Sequence, residues 1–361
     1  VSNNGSVPSG ITVGVVANPA SGRDIRRLVA GASVFDNAEK GNMVYRLMAG
    51  LGSLGVEKIL MMPAASGLYD NLEKNIRTHG KGRTLPSLEL IEMMIYHNAS
   101  DTVHAVERMM EHGVSAIAVL GGDGTSRLVA RHCGDTPMIP LSTGTNNAFP
   151  EMREATVAGL ALGLLVTGKL SPEDVVKRRK VLRVSVNYEE ARRDCALVDV
   201  AVSGERFIGA RALWKSGSVS ELFVTSAAPD AVGLSSIAGM LDPVSRDDEH
   251  GLYLELCPPE EAEWTVNVPL APGLIVPVGV AEMRRIHPGE EVEIRRGVGS
   301  VALDGEREIE RNEGDTVSVS LDSEGPNILD VAGAMRVAAK EGLLNQKPKT
   351  EAKRPDRKEK Q

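Results

Sequence analysis

Apolar and polar positions change their period along this chain. Ile11 to Ala17 is an apolar, β-branched run that ends in Asn18-Pro19-Ala20-Ser21-Gly22. Asn42 to Gly52 has helical spacing, with Val44, Leu47, Met48 and Leu51 on one face. Lys58 to Met62 reads as a second strand closed by Pro63. Asp101 to His112 reads as a helix capped by Ser100 or Asp101 and ended by Gly113. Val114 to Leu120 and Pro137 to Leu141 follow as strands, with a helix from Ser126 to Cys133 between them. Glu151 to Gly168 is a helix rich in Ala and Leu. Strands alternating with helices predict βαβ units and a mostly parallel sheet.

After Lys180 the period shortens. Val181 to Val186, Ala196 to Val202, Glu221 to Thr225, Leu252 to Leu256, Trp264 to Val268 and Glu291 to Ile294 are short strand candidates. Pro258-Pro259, Pro272-Gly273 and Pro288-Gly289 separate several of them. Helical spacing returns from Asn327 to Leu344. The expected organisation is a flexible arm over 1–10, an α/β nucleotide-binding domain over 11–178 and a β-rich substrate domain over 179–322. A C-terminal helix packs back over 323–345, and a charged tail over 346–361 is expected to be disordered.

Composition narrows the classes. A chain of 361 residues suits two domains. A formal charge of −8 and only 3% aromatic residues argue against a nucleic-acid binder. Cys133, Cys195 and Cys257 are scattered and outside any metal-ligand spacing, which points to reduced thiols in a cytoplasmic protein. His104 and His112 share a predicted helix without a ligand partner. No run of about 20 apolar residues predicts a membrane span.

The chemistry gathers at four segments. Gly121-Gly122-Asp123-Gly124-Thr125 lies between a buried strand and a helix. Glycines there let backbone N–H groups approach an anion, and an acidic residue beside phosphate suits a metal ion or a substrate hydroxyl. A tight turn needing positive φ is the alternative. The loop is neither a Walker A motif nor a dinucleotide fingerprint, since Arg127 stands where the third glycine would be. Asn18 to Gly22 and Ser142-Thr143-Gly144-Thr145-Asn146-Asn147 also follow strands and are dense in small hydrogen-bonding groups. Three such loops at successive strand ends converge on one crevice. Leu303-Asp304-Gly305-Glu306 is either a hairpin turn or a second carboxylate site facing that crevice. Arg23, Arg26 and Arg27 follow the first loop. They fit an anionic acceptor or a solvated helix face.

At these segments the chain resembles the superfamily of NAD kinases and diacylglycerol or sphingosine kinases, which share the GGDGT signature. Asn18 to Gly22 resembles the NPxSG element of the lipid kinases, Thr143 to Asn146 the G-T-x-N element, and Asp304-Gly305 the late Asp-Gly pair. Asp24 to Leu28, Glu205 to Arg211 and Ala302 to Glu308 are similar to the acetoin catabolism protein X type, a group of ATP-NAD kinase-like proteins. The resemblance covers roughly Val13 to Leu344.

It implies a fold with an N-terminal Rossmann-like α/β domain, mostly parallel, and a C-terminal β-sandwich. It implies a cytoplasmic phosphotransferase, a kinase using ATP or polyphosphate with Mg2+, and NAD(H) as the leading acceptor, hence NADP formation. Carried over, Asn18, Ser21, Gly22, Gly121, Gly122, Gly124, Thr125, Thr143, Gly144, Thr145 and Asn146 would bind the cofactor. Asp123 and Asp304 would be catalytic and hold the metal. Asn147, Asp199, Arg26, Arg27 and Glu306 would face the acceptor. A homo-oligomer acting on small nucleotide substrates is expected. The pattern departs from the family at two places. Val198-Asp199 replaces the Asn-Glu pair of NAD kinases, and Asn147 stands where lipid kinases place Asp. A lipid kinase and a non-catalytic NAD(H)- or ATP-binding regulator of acetoin-type catabolism are the alternatives.

Overall fold

The computed structural model describes residues 10–19, 36–63, 67–144, 147–189, 193–204, 218–295, 297–305 and 307–345. The expected arm up to residue 9, the tail, Ser21, Gly22, Arg23, Arg26, Arg27, Thr145, Asn146, Glu306 and the segment from Glu205 to Arg211 lie outside the described residues.

The first half forms a seven-stranded sheet. Its strands are β1 (Thr12–Ala17), β2 (Lys58–Met61), β3 (Ser87–Leu90), β4 (Ala116–Gly121) and β5 (Met138–Ser142), joined by β6 (Val176–Arg178) and a late strand, β18 (Asn327–Leu329). The spatial order is β3-β2-β1-β4-β5-β18-β6, parallel except for β6. β1 and β4 are buried along nearly their whole length because helices cover both faces. On one face lie α1 (Asn37–Ser53), α5 (Ala155–Val166) and α8 (Val331–Glu341), which bury Leu47, Leu51, Leu162 and Ala334. On the other lie α3 (Ala99–Glu111) and α4 (Asp123–His132), burying Val106, Met109 and Val129. α2 (Leu68–His79) packs beside α1.

Helices α1 and α5 approach backbone to backbone. A Cβ on Gly159 would sit 2.4 Å from the Leu47 carbonyl oxygen, and one on Gly50 2.6 Å from that of Thr156. This contact buries α5 on nearly all sides, which is why its sequence is apolar without a polar stripe.

The second half is antiparallel. A seven-stranded sheet comprises β9 (Asp199–Ser203), β10 (Val219–Val224), β11 (Gly251–Cys257), β12 (Trp264–Ala271), β13 (Leu274–Ile286), β15 (Gly299–Leu303) and β16 (Arg307–Arg311). A four-stranded sheet comprises β7 (Val181–Val186), β8 (Arg193–Ala196), β14 (Glu291–Glu293) and β17 (Val317–Asp322). Val184, Val202, Phe223, Tyr253, Val301 and Val319 fill the layer between them, so the two sheets form a sandwich. The far face of the larger sheet is covered by the segment carrying Ile237, Ala238 and Val244.

The structure corrects several boundaries. The run from Ala196 to Val202 is two strands with a turn at Leu197-Val198, because the Asp304 carboxylate draws in the N–H groups of that turn. Asn327–Leu329 is a strand of the first sheet, and the helix begins only after Asp330, whose carboxylate accepts from Gly333 N–H. The cap of α3 is Asn98, in a reciprocal capping box with Asp101. Helix α4 begins at Asp123 rather than Ser126, which puts the acidic residue in its first turn.

Candidate functional site

From β1 the chain moves outward to β2 and β3, then crosses back to β4 on the other side of β1. The carboxyl ends of β1 and β4 therefore flank the point where strand order reverses, the usual ligand crevice of such sheets. Three loops meet there. Asn18, after β1, donates through Nδ2 to the Thr125 hydroxyl oxygen at 2.9 Å, and its N–H donates to the Leu120 carbonyl at 3.2 Å. Thr143, after β5, donates its N–H to the Gly121 carbonyl at 3.3 Å. Asn147 Nδ2 donates to Ser142 Oγ at 2.7 Å, and Ser142 Oγ donates to the Gly144 carbonyl at 2.6 Å.

The glycines of the central turn answer to close approach. A Cβ on Gly121 would lie 2.7 Å from Thr125 Cβ, and one on Gly122 3.0 Å from Asn147 Oδ1. Neither residue has a positive φ, so the tight-turn reading does not account for them. Gly122 is the N-cap of α4 and supplies no side-chain cap. The N–H groups of Gly124 and Thr125 have no acceptor among the described residues. That end of α4 offers donors and a positive dipole end to an anion.

Asp123 is half-buried. Its carboxylate accepts from Ala148 N–H at 3.1 Å and Phe149 N–H at 2.7 Å, which ties the central turn to the loop after β5. Asp304 comes from the sandwich, at the corner between β15 and β16, with φ of 51°. Its side chain is fully buried. Its oxygens accept from the N–H groups of Leu197 (3.0 Å), Val198 (2.8 Å) and Asp199 (3.3 Å). Successive N–H groups aimed at one carboxylate make an anion nest. Burial, and then the neighbouring Asp199, still push the Asp304 carboxyl well above its ordinary range.

Three cations escaped the sequence reading. Arg127, one turn after Asp123, is buried and donates through Nη1 to Asp194 Oδ1 at 2.9 Å, and its Nε lies 3.9 Å from Asp304 Oδ2. Helix α4 of the first layer is thereby joined to β8 and to the Asp304 corner. Lys40 on α1 is wholly buried and donates through Nζ to the Asn18 carbonyl at 2.8 Å and Asn37 Oδ1 at 3.2 Å, beneath the first loop. Its position was legible, since Lys40 shares the helical face of Val44, Leu47 and Leu51. Arg246, from the sandwich side, donates to the Ala148 carbonyl and lies 5.6 Å over the Phe149 ring. No local pattern marked it.

The Val198-Asp199 departure has a packing consequence. The Val198 side chain joins Leu197, Phe149, Val181 and Ile328 in an apolar cluster shared by the two halves, where an amide would lack partners. Asp199 is buried beside Asp304. Cys133, Cys195 and Cys257 are free thiols, and burial pushes the first two up to about 11. Among the described residues no three His, Cys, Asp or Glu side chains converge to hold a metal ion. None of their helices is long and apolar enough to cross a membrane.

Residues 13–169 match the ATP-NAD kinase N-terminal domain family, so the layer that carries the three converging loops is NAD kinase-like. Residues 180–324 match the acetoin catabolism protein X C-terminal domain family. The structure is similar to that of a diacylglycerol kinase from Bacillus anthracis str. Sterne, with 12% identity, a TM-score of 0.39, and coverage of 90% of this chain and 98% of that one. A curated protein from Cupriavidus necator described as acetoin catabolism protein X is 45% identical over 343 residues, 94% of this chain and 96% of that protein. With that identity over nearly the whole length of both chains, the chain belongs to the acetoin catabolism protein X family.

Proposed function

We propose that this protein is a phosphotransferase that moves the γ-phosphoryl group of ATP, or a unit of polyphosphate, onto a hydroxyl, with NAD(H) as the leading acceptor. The observation that carries the reading is the meeting of three strand-end loops around a helix N-terminus without a side-chain cap, with Asp123 in its first turn and the buried Asp304 close enough to feel its charge. The Gly124 and Thr125 N–H groups suit phosphate oxygens, and the close packing at Gly121 and Gly122 leaves no room for a side chain in the turn before them.

Magnesium fits this donor set. The ion is commonly held by one or two carboxylates together with phosphate oxygens and water, so a third protein ligand is unnecessary. Asp123 would hold it, and carboxylate oxygens that accept N–H bonds keep lone pairs for the purpose. When bound, magnesium supplies charge neutralisation on the phosphates. The protein's own part is positioning. Asp123 is oriented by Ala148 and Phe149, and Asp304 is poised by burial to hold a proton at a carboxyl oxygen. Asn147, Asp199, Arg26, Arg27 and Glu306 remain the proposed acceptor contacts, and Ser21, Gly22, Thr145 and Asn146 the remaining donor-side contacts.

One observation favours a second reading, a nucleotide-binding regulator without turnover. Both aspartates already accept backbone bonds from neighbouring turns. The two readings separate in one assay, incubation with ATP, magnesium and NAD or NADH with phosphorylated product read by mass. The kinase reading expects product, lowered at least about a hundred-fold in Asp123→Asn, while thermal unfolding of that variant stays close to wild type. Undiminished product in Asp123→Asn would sink the assignment. Tight nucleotide binding with no product on any hydroxyl acceptor would establish the regulator.

A further inference from the structure

A cavity opens where β5 and β18 diverge. The two strands pair only at Met138 and Ile328 among the described residues, and Glu151 bridges to Leu141 in the gap beyond. The floor is apolar, from β5 and β18. The walls carry Glu151, Arg153, Arg179, Arg246 and Asp330. Its free volume is about 30 Å³, room for roughly two waters or one small oxyanion.

The charges in these walls are unevenly matched. Glu151 accepts from Arg153 Nε at 2.8 Å and lies 3.3 Å from Arg246 Nη1, so one carboxylate serves two guanidinium groups. Asp330 is engaged as the cap of α8 through Gly333 N–H at 2.9 Å. Arg179 reaches Asp247 with Nη1, but Asp247 is exposed and also takes Lys177 at 3.0 Å. The Arg179 Nε–H is buried and has no hydrogen-bond partner among the described residues. Burial, and then the neighbouring Arg179, lower the affinity of Arg246 for its proton against the pull of Glu151. Three guanidinium groups around a small cavity with one buried donor unanswered call for an anion with several acceptor oxygens.

We propose that this cavity is a second binding site, distinct from the strand-end crevice, for a small phosphate-like oxyanion held by Arg179 and Arg246. The oxyanion is either free or the end group of a larger molecule. Occupancy would reach the crevice through one relay. Arg246 also donates to the Ala148 carbonyl, and the Ala148 N–H donates to Asp123. Lys180 supports the relay by donating to the carbonyls of Ser245 and His250, on either side of the Arg246 segment. The proposal does not depend on phosphoryl transfer, since its readout is binding.

The test is calorimetric titration of the full chain with inorganic phosphate, in wild type, Arg179→Met, Arg179→Lys and Gly122→Val. The expected result is a saturable site that survives Gly122→Val, whose added side chain crowds the crevice turn. Its affinity should fall at least ten-fold in Arg179→Met. Arg179→Lys keeps the charge beside Asp247 and loses the fork, so it should weaken binding several-fold and decides the matter if the Met variant does not fold. Equal phosphate affinity in wild type and the Arg179 variants, loss of the site in Gly122→Val, or no saturable binding in wild type overturns the proposal. Displacement of phosphate by excess ATP assigns the site to a nucleotide's phosphate, and indifference to ATP assigns it to a free oxyanion.

Discussion

The two halves hold their aspartates in contrasting ways. The parallel layer presents Asp123 at the start of a helix, half-buried, with its carboxylate clasped by a loop from the adjacent strand end. The sandwich buries Asp304 at a hairpin corner and surrounds it with the N–H groups of another turn. One carboxylate is placed by a local motif at a helix start. The other is placed by tertiary packing and has its chemistry altered by it. Arg127 connects the two, since it leaves the same helix as Asp123 and ends between Asp194 and Asp304.

The strongest way to break the contrast is to remove that connection. Arg127→Ala takes from the buried Asp194 its buried partner and leaves it only the exposed Arg131, and stability to denaturant should drop by about 3–5 kcal/mol. A loss under about 1 kcal/mol would mean that the halves are held together chiefly by their other contacts, among them the apolar cluster around Phe149 and Val198. An intermediate effect is expected at Asp304 itself. In Asp304→Asn the amide NH2 meets N–H donors that the carboxylate accepted, which costs about 1–3 kcal/mol.

The same variant sharpens the contrast through pH. Because the folded-state pKa of Asp304 is raised, the folded protein keeps a proton that the unfolded chain releases near pH 4. The contribution is fully present below that pH and is lost as pH rises toward the folded value. Denaturation measured from pH 4 upward should show this decline in wild type and a flatter profile in Asp304→Asn. Identical slopes would place the raised pKa elsewhere. The smallest effect belongs to Arg131, which reaches the same Asp194 at 3.0 Å but is 42% exposed against 6% for Arg127. Arg131→Ala should cost only about 0.5 kcal/mol, so the pair of variants isolates burial as the variable.

Legibility followed the same division. The strands β1, β2, β4 and β5 were visible as apolar runs because a parallel sheet covered on both faces demands them. The strand β3 was not, since an edge position leaves Ser87 and Glu89 exposed and breaks the pattern. The strands β13, β15, β16 and β17 were also missed. A sandwich strand is stabilised by neighbours distant in sequence, and half-exposed strands such as β13 show only weak alternation. Of the crevice, the glycines, Asn18 and Asp123 lie in compact segments whose residue types suggest their chemistry. Arg127 and Arg246 are charged residues like any other until the fold buries them, whereas Lys40 stands on the apolar face of its helix.

By itself the amino-acid order determined the change of period near residue 180, the positions of the strand-end loops and the concentration of small polar residues in them. Those features are local, because helix and strand periodicity and turn chemistry act over a few residues. The tertiary structure decided which loops meet and which cations are buried. It also decided that Leu197-Val198 would become a turn around Asp304, and that Asp304 would lose its ordinary acidity. Those outcomes depend on desolvation and on contacts across more than a hundred residues of chain, and a short stretch of sequence carries no record of either.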